Sequence, residues 1–153
     1  MLKKSLVVND DTTSLFIISK MLNKARFTDE VITANNGENA LAYFSEIVSL
    51  GEGNFTKAPE FIFLDLYMPV MNGWDFLAIF SAKYASLFPE TKVVIVSSTA
   101  AREDILKLGK YGIVSDFICV PVTLDKLNDL KKRHYPKQKE GDSVVENYYL
   151  QVS

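Results

Sequence analysis

Three apolar runs in the 153-residue sequence end on side chains that can do chemistry. Phe61-Ile-Phe-Leu runs straight into Asp65, Leu6-Val7-Val8 into Asn9-Asp10-Asp11, and Val93-Val-Ile-Val96 into Ser97-Ser98-Thr99. A short apolar run stopped by polar residues suits a strand buried on both faces. Each polar group would then stand at a strand's carboxyl end, on rigid backbone with access to water. Carboxylates gathered there repel one another unless a cation or a proton intervenes. Magnesium meets that need, because it takes one or two protein carboxylates, keeps several waters and leaves positions for phosphate oxygens. With its neighbours neutralised, Asp65 can attack phosphorus in line and form an acyl phosphate, while the Ser97 hydroxyl can hydrogen-bond a phosphoryl oxygen.

The elements that must position these groups follow from periodicity. Leu15, Ile18, Leu22 and Ala25 predict a first helix, with Thr12, Thr13 or Ser14 as N-cap. Val31 to Ala34 reads as a strand. Asn36 then caps a second helix with Ala40, Tyr43, Phe44, Ile47 and Val48 on its apolar side, ended by Gly51-Glu-Gly53-Asn. Asn72 caps a third helix carrying Leu77, Phe80, Tyr84 and Leu87 and stopped by Pro89. Ile105 and Leu108 mark a weaker fourth helix, closed at Gly109 or Gly112, with Ser98 and Thr99 as its caps. Phe117 to Val120 forms a fifth strand broken by Pro121, and Thr123 caps a last helix with Leu124, Leu127 and Leu130 inward. Five apolar strands alternating with five helical patterns specify an α/β domain with a parallel sheet covered on both faces and right-handed crossovers. In such sheets ligands sit beyond the carboxyl ends of the strands, where strand order reverses.

Composition excludes several classes. A content of 48% hydrophobic and 24% charged residues is that of an ordinary soluble globule, and the length suits one core. A formal charge of -2 argues against bulk attraction to nucleic acid or to an anionic membrane. Cys119 is the single cysteine, so no intrachain disulfide forms, and the apolar run near the amino terminus is too short for a signal or a span. A cytoplasmic location is the expectation. His134 is the single histidine, which excludes a histidine triad or cluster. It reads as a surface residue at a helix end, and Lys131 to Arg133 read as a solvated terminus favoured by the helix dipole. Asp11 reads as a cap of the first helix. Trp74, Phe80 and Tyr84 read as packing aromatics, and Cys119 as buried in an apolar strand. Gly51-Glu-Gly53 follows a helix and lacks a third glycine, so it is no dinucleotide fingerprint.

Leu-Val-Val-Asn-Asp10-Asp11, Phe-Leu-Asp65-Leu-Tyr-Met-Pro-Val-Met-Asn-Gly73, Val-Ile-Val-Ser97-Ser98 and Phe117-Ile-Cys-Val-Pro121, in that order and spacing, resemble the receiver domain of two-component response regulators. The resemblance covers roughly residues 3 to 134. It implies a flavodoxin-like, doubly wound sheet of five strands in the order 2-1-3-4-5, the topology that puts a switch point beside the first strand. It implies a switch rather than an enzyme: Asp65 would accept a phosphoryl group from a histidine kinase or a phosphotransfer protein, with Mg2+ as cofactor. Asp10 and the Tyr67 backbone carbonyl would join Asp65 as metal ligands, Ser97 would be the switch hydroxyl, and Phe117 the aromatic that follows it. Two positions depart from the family. Asn9 replaces the first acid of the usual pair, leaving a group able to hold a metal-bound water with one negative charge fewer. Val120 stands where a lysine precedes the proline, and Lys110 and Lys126 are the candidates to reach in instead.

Residues 1–135 would be the receiver domain and 136–153 a tail, linker-like at first, in which Val145, Tyr149 and Val152 fall at helical steps and suit docking on this domain or on a partner. With no second domain attached, the expected output is protein-protein contact with a downstream partner, without nucleic acid or membrane. The alternative is a pseudo-receiver that keeps the fold as an interaction module without phosphorylation, with Asn9 and Val120 as its support. A hydrolase of the haloacid dehalogenase type would want a second aspartate where Tyr67 stands, and is set aside.

Overall fold

Alternate residues along the central strands divide between two cores. In β1 (Lys4–Val8), β3 (Phe61–Leu64) and β4 (Lys92–Ser97), the side chains of Leu6, Val8, Ile62, Leu64, Val93 and Ile95 enter one cluster, and Val7, Phe61, Phe63, Val94 and Val96 enter the other. That is why these strands read as unbroken apolar runs: each successive side chain has a covered face to enter. The computed structural model describes residues 3–98 and 101–135. Thr99 and the tail from residue 136, with Val145, Tyr149 and Val152, lie outside the described residues.

With β2 (Glu30–Ala34) and β5 (Val114–Cys119) the sheet is entirely parallel, in the order β2-β1-β3-β4-β5. The helices α2 (Gly37–Ser49) and α3 (Gly73–Lys83), with Leu108 of α4 (Arg102–Leu108), cover one face; α1 (Thr12–Lys24) and α5 (Leu124–His134) cover the other. Stacked and edge-on contacts among Phe44, Phe76, Phe80, Tyr84 and Phe88 fill the first core. Asn36, Asn72 and Thr123 cap α2, α3 and α5 as their positions predict, each side chain accepting from a backbone N–H three residues on.

Several expectations need correction. Of the residues read as caps of α1, Asp11 is the one that caps it, accepting from Thr13 N at 3.0 Å, and Thr12, Thr13 and Ser14 do not; a carboxylate there also suits the positive end of the helix dipole. Helix α3 ends at Lys83, well before Pro89, so Leu87 is left 40% exposed and Phe76 and Phe88 take the interior places. The segment Glu52–Lys57, in and beyond the Gly51-Glu-Gly53-Asn stretch that ends α2, forms a 3₁₀ helix without a sequence signal for one. Helix α4 begins after Ala101, with no side-chain cap from Ser98, and Ile105 faces solvent. Cys119 is exposed because it is the last residue of an edge strand. His134 is no free surface residue: its ring lies edge-on to Phe61, and its Nε2 is 3.6 Å from Asp116 Oδ2.

Candidate functional site

Asp65 follows β3 directly, and its backbone N–H still bonds Val8 O of the neighbouring strand at 3.0 Å. The last ladder bond therefore fixes its backbone while the side chain stands half-buried at the rim. Gly73 holds the loop that follows. A Cβ there would sit 2.4 Å from Asp65 O and 2.7 Å from Leu66 Cα, so only glycine lets α3 start this close beneath the acid. Between them Val70 adopts φ 72°, a left-handed conformation costly for a β-branched residue.

The carboxyl ends of β1, β3 and β4 meet at this rim. Burial raises the pKa of Asp65 above the usual carboxylate value; the Tyr67 N–H, which donates to Oδ1 at 3.2 Å, lowers it, and the negative charge of Asp10 raises it again. The net shift is upward. Asp10 and Asp65 are thus close enough to feel each other, and nothing cationic offsets Asp65 among the causes of its shift. Among the described residues no group of three or more histidine, cysteine or acidic side chains gathers, so a zinc-type cage is not built. Two neighbouring carboxylates are instead a pairing that magnesium accepts, with waters completing its shell.

The other residues singled out in the sequence take distinct places. Asn9 is buried, and its Oδ1 accepts from Asp11 N at 2.9 Å, which shapes the turn that presents Asp10. Asp11 itself is occupied as the helix cap, with Ser14 Oγ donating to its second oxygen at 3.0 Å. Ser97 ends β4, is 2% exposed, and its carbonyl accepts from Val120 N. Phe117 lies half-buried on β5 against the core that holds α2 and α3. Val120 lies just beyond β5 and is 45% exposed. Lys126, from the first turn of α5, places its ammonium on the carbonyls of Cys119 and Pro121 at 2.7 and 3.0 Å, flanking Val120. Lys110 has no such contact with that turn. The expectation that Lys110 or Lys126 reaches in at the Val120 position is not met here: the Lys126 ammonium is held by backbone carbonyls.

One set of contacts had no sequence signal. Tyr67 OH donates to Asp104 Oδ2 at 2.6 Å across 37 positions, and Lys107 Nζ lies 4.3 Å above the ring of Trp74. A cavity of about 590 Å³ lies elsewhere, between α1, β2 and α2, and none of Asp10, Asp65 and Ser97 lines it.

Known proteins share this fold. Residues 6–131 match the family described as the response regulator receiver domain. The chain is 34% identical over 134 residues to a protein-glutamate methylesterase/protein-glutamine glutaminase of Halalkalibacterium halodurans, covering 83% of this chain and 34% of that protein. It is 25% identical over 142 residues to the two-component response regulator ARR2 of Arabidopsis thaliana, covering 93% of this chain and 19% of that one. The chain therefore spans well under half the length of either relative. Among solved structures, a two-component response regulator from Cytophaga hutchinsonii superposes with a TM-score of 0.76 at 21% identity, over 89% of this chain and 98% of that one. The chemotaxis protein CheY4 of Vibrio cholerae does so at 0.67 and 24% identity, over 87% and 98%. Both likenesses are of fold. With the match spanning most of the sequence, the chain belongs to the response regulator receiver domain family of two-component signalling.

Proposed function

We propose that this protein is a phosphoryl-accepting switch in which Asp65 is the acceptor and protein-protein contact is the output. The observation that carries this reading is the pairing of Asp65 with Asp10 at the end of β3, where the net effect of burial and like charge is a raised carboxylate pKa. The phosphoryl donor is a phosphohistidine on a histidine kinase or a phosphotransfer protein. An oxygen of Asp65 attacks phosphorus opposite the leaving nitrogen. The C–O–P bond of an aspartyl phosphate forms as the P–N bond breaks, and the bonding pair leaves with the imidazole, which takes a proton from solvent. Asp10, Asp65 and the Tyr67 carbonyl would hold Mg2+, with Asn9 contributing through a water; bound there, the ion supplies charge neutralisation for the attack. Ser97 Oγ would hydrogen-bond a phosphoryl oxygen, and Phe117 would repack behind it. The domain acts as a signalling module rather than an enzyme, in the cytoplasm, with neither nucleic acid nor membrane as partner.

The chain incubated with magnesium and acetyl phosphate or phosphoramidate is expected to gain one phosphoryl mass, stable to acid and labile to base, and to lose that gain in Asp65→Asn. No adduct and no magnesium affinity in the unsubstituted chain would sink the reading. A second reading, a pseudo-receiver that binds partners without phosphorylation, draws on the neutral Val120 and on the engagement of Asn9 Oδ1 by Asp11 N. It requires that partner binding be the same in Asp65→Asn, so a marked loss there excludes it.

A further inference from the structure

Helix α4 is the least anchored helix around the site. Leu108 is its one buried residue, its N-cap Ala101 offers no side-chain bond, and Ile105 and Leu106 face solvent. A seven-residue helix with so little apolar burial has small stability of its own and depends on its remaining ties. Two of these run to the loop that follows Asp65 and to the first turn of α3. Asp104 accepts from the Tyr67 hydroxyl at 2.6 Å, and Lys107, one turn on, sits 4.3 Å over the Trp74 ring. Tyr67 and Trp74 bracket the β3–α3 loop, which the close packing of Gly73 on Asp65 and Leu66 holds stiff. The same Tyr67 gives its backbone N–H to Asp65 Oδ1. A single residue thus touches the acceptor carboxylate with its main chain and α4 with its side chain.

We infer that Tyr67 and Asp104, reinforced by Lys107 on Trp74, form a latch that holds α4 in the position matching unmodified Asp65. The latch opens when the acceptor carboxylate is phosphorylated. The inference rests on the acceptor reading above. Its physical content is a coupling. Modification of Asp65 takes away or reorients the oxygen that fixes Tyr67 N, and the loop can satisfy its new partners only by moving the phenol that Asp104 holds. Contacts made in one state alone bias the equilibrium toward that state, and their removal favours the other by the same free energy. Tyr67 and Asp104 are therefore positioning residues, and nothing in the proposal has them touch phosphorus through their side chains.

The test uses the full chain with magnesium and beryllium fluoride as the phosphoryl mimic. Binding is read by the fluorine resonance of the bound mimic, and movement of α4 by the emission of Trp74, the single tryptophan. Saturation is expected to shift Trp74 emission in the unsubstituted chain. Tyr67→Phe and Asp104→Ala should each tighten mimic binding by about 3- to 10-fold, the worth of one hydrogen bond, with the double variant no tighter than either alone. A bound fluorine signal with unshifted emission, with unchanged affinity in the variants, or with gains that multiply in the double variant overturns the latch and leaves the acceptor reading standing. Absence of any bound fluorine signal overturns the acceptor reading and the latch with it.

Discussion

At Asp65 folding shifts the carboxyl toward its neutral form relative to the unfolded chain. Burial comes first among the causes, the Tyr67 N–H opposes it, and Asp10 adds to it, so the folded pKa exceeds the unfolded one. A carboxylate with a raised folded pKa destabilises the fold once pH rises above that pKa; the destabilisation fades as pH falls toward the unfolded value. Asp65→Asn keeps an oxygen for Tyr67 N and removes the charge. At neutral pH without divalent metal it should raise the melting temperature by about 1–2 °C, the shift of a few tenths of a kcal/mol left after solvent screens a half-exposed charge. Magnesium should raise the melting temperature of the unsubstituted chain and leave that of Asp65→Asn nearly unchanged, because ligand binding stabilises only where the site is built. Calorimetry with and without magnesium checks both; a lower melting temperature for the metal-free variant would contradict the like-charge account.

At the scale of elements, β5 and the turn into α5 decide how a phosphoryl group would be received. The strand ends at Cys119, Val120 is half open to solvent, and the nearest ammonium at that turn, Lys126, is bound to the carbonyls on either side of it. Those two bonds hold its charge on the backbone and help start α5. A lysine at position 120 would add a cation at the end of β5 without disturbing a packed side chain. Val120→Lys is therefore expected to speed phosphorylation by acetyl phosphate about tenfold or more, the lower range for a charge-assisted hydrogen bond. Stopped-flow or timed mass analysis of adduct formation checks this, and an unchanged or slower rate would show that the valine is no deficit in this site.

The whole molecule is closed on its second face by an ion pair between the edge strand and the last helix. Arg133 Nε and Nη2 lie 2.8 and 2.7 Å from Asp116 Oδ2, whose side chain is 13% exposed. Burial pushes the Asp116 pKa up, but His134, the Phe117 N–H and Arg133 together outweigh it and hold the group below the usual range. His134 Nε2 lies 3.6 Å from the same Asp116 Oδ2. With a depressed folded pKa, the stabilisation is complete above the unfolded value near 3.8 and is lost as pH falls through the folded one. Asp116→Asn should cost about 2 kcal/mol at neutral pH and flatten the loss of stability below about pH 4. Urea unfolding across that range measures it; an unaltered acid slope would move the acid sensitivity to other groups.

The sequence by itself determined the five strands and five α-helices, because apolar residues run unbroken along a strand covered on both faces and recur every three to four positions on a helix. It also determined the caps at Asn36, Asn72 and Thr123, where a side chain bonds backbone three residues away. That the strands preceding Asp10 and Asp65 and the strand ending at Ser97 share one rim was legible too, since parallel strands bring their carboxyl ends to one side of the sheet. Cys119 in solvent, His134 against Phe61, Lys126 at the Val120 turn and the Tyr67–Asp104 bond were decided only in three dimensions. Local periodicity states which way a side chain faces. Which distant side chain it meets there depends on the order of strands, on which strand is left at the edge, and on where each helix ends.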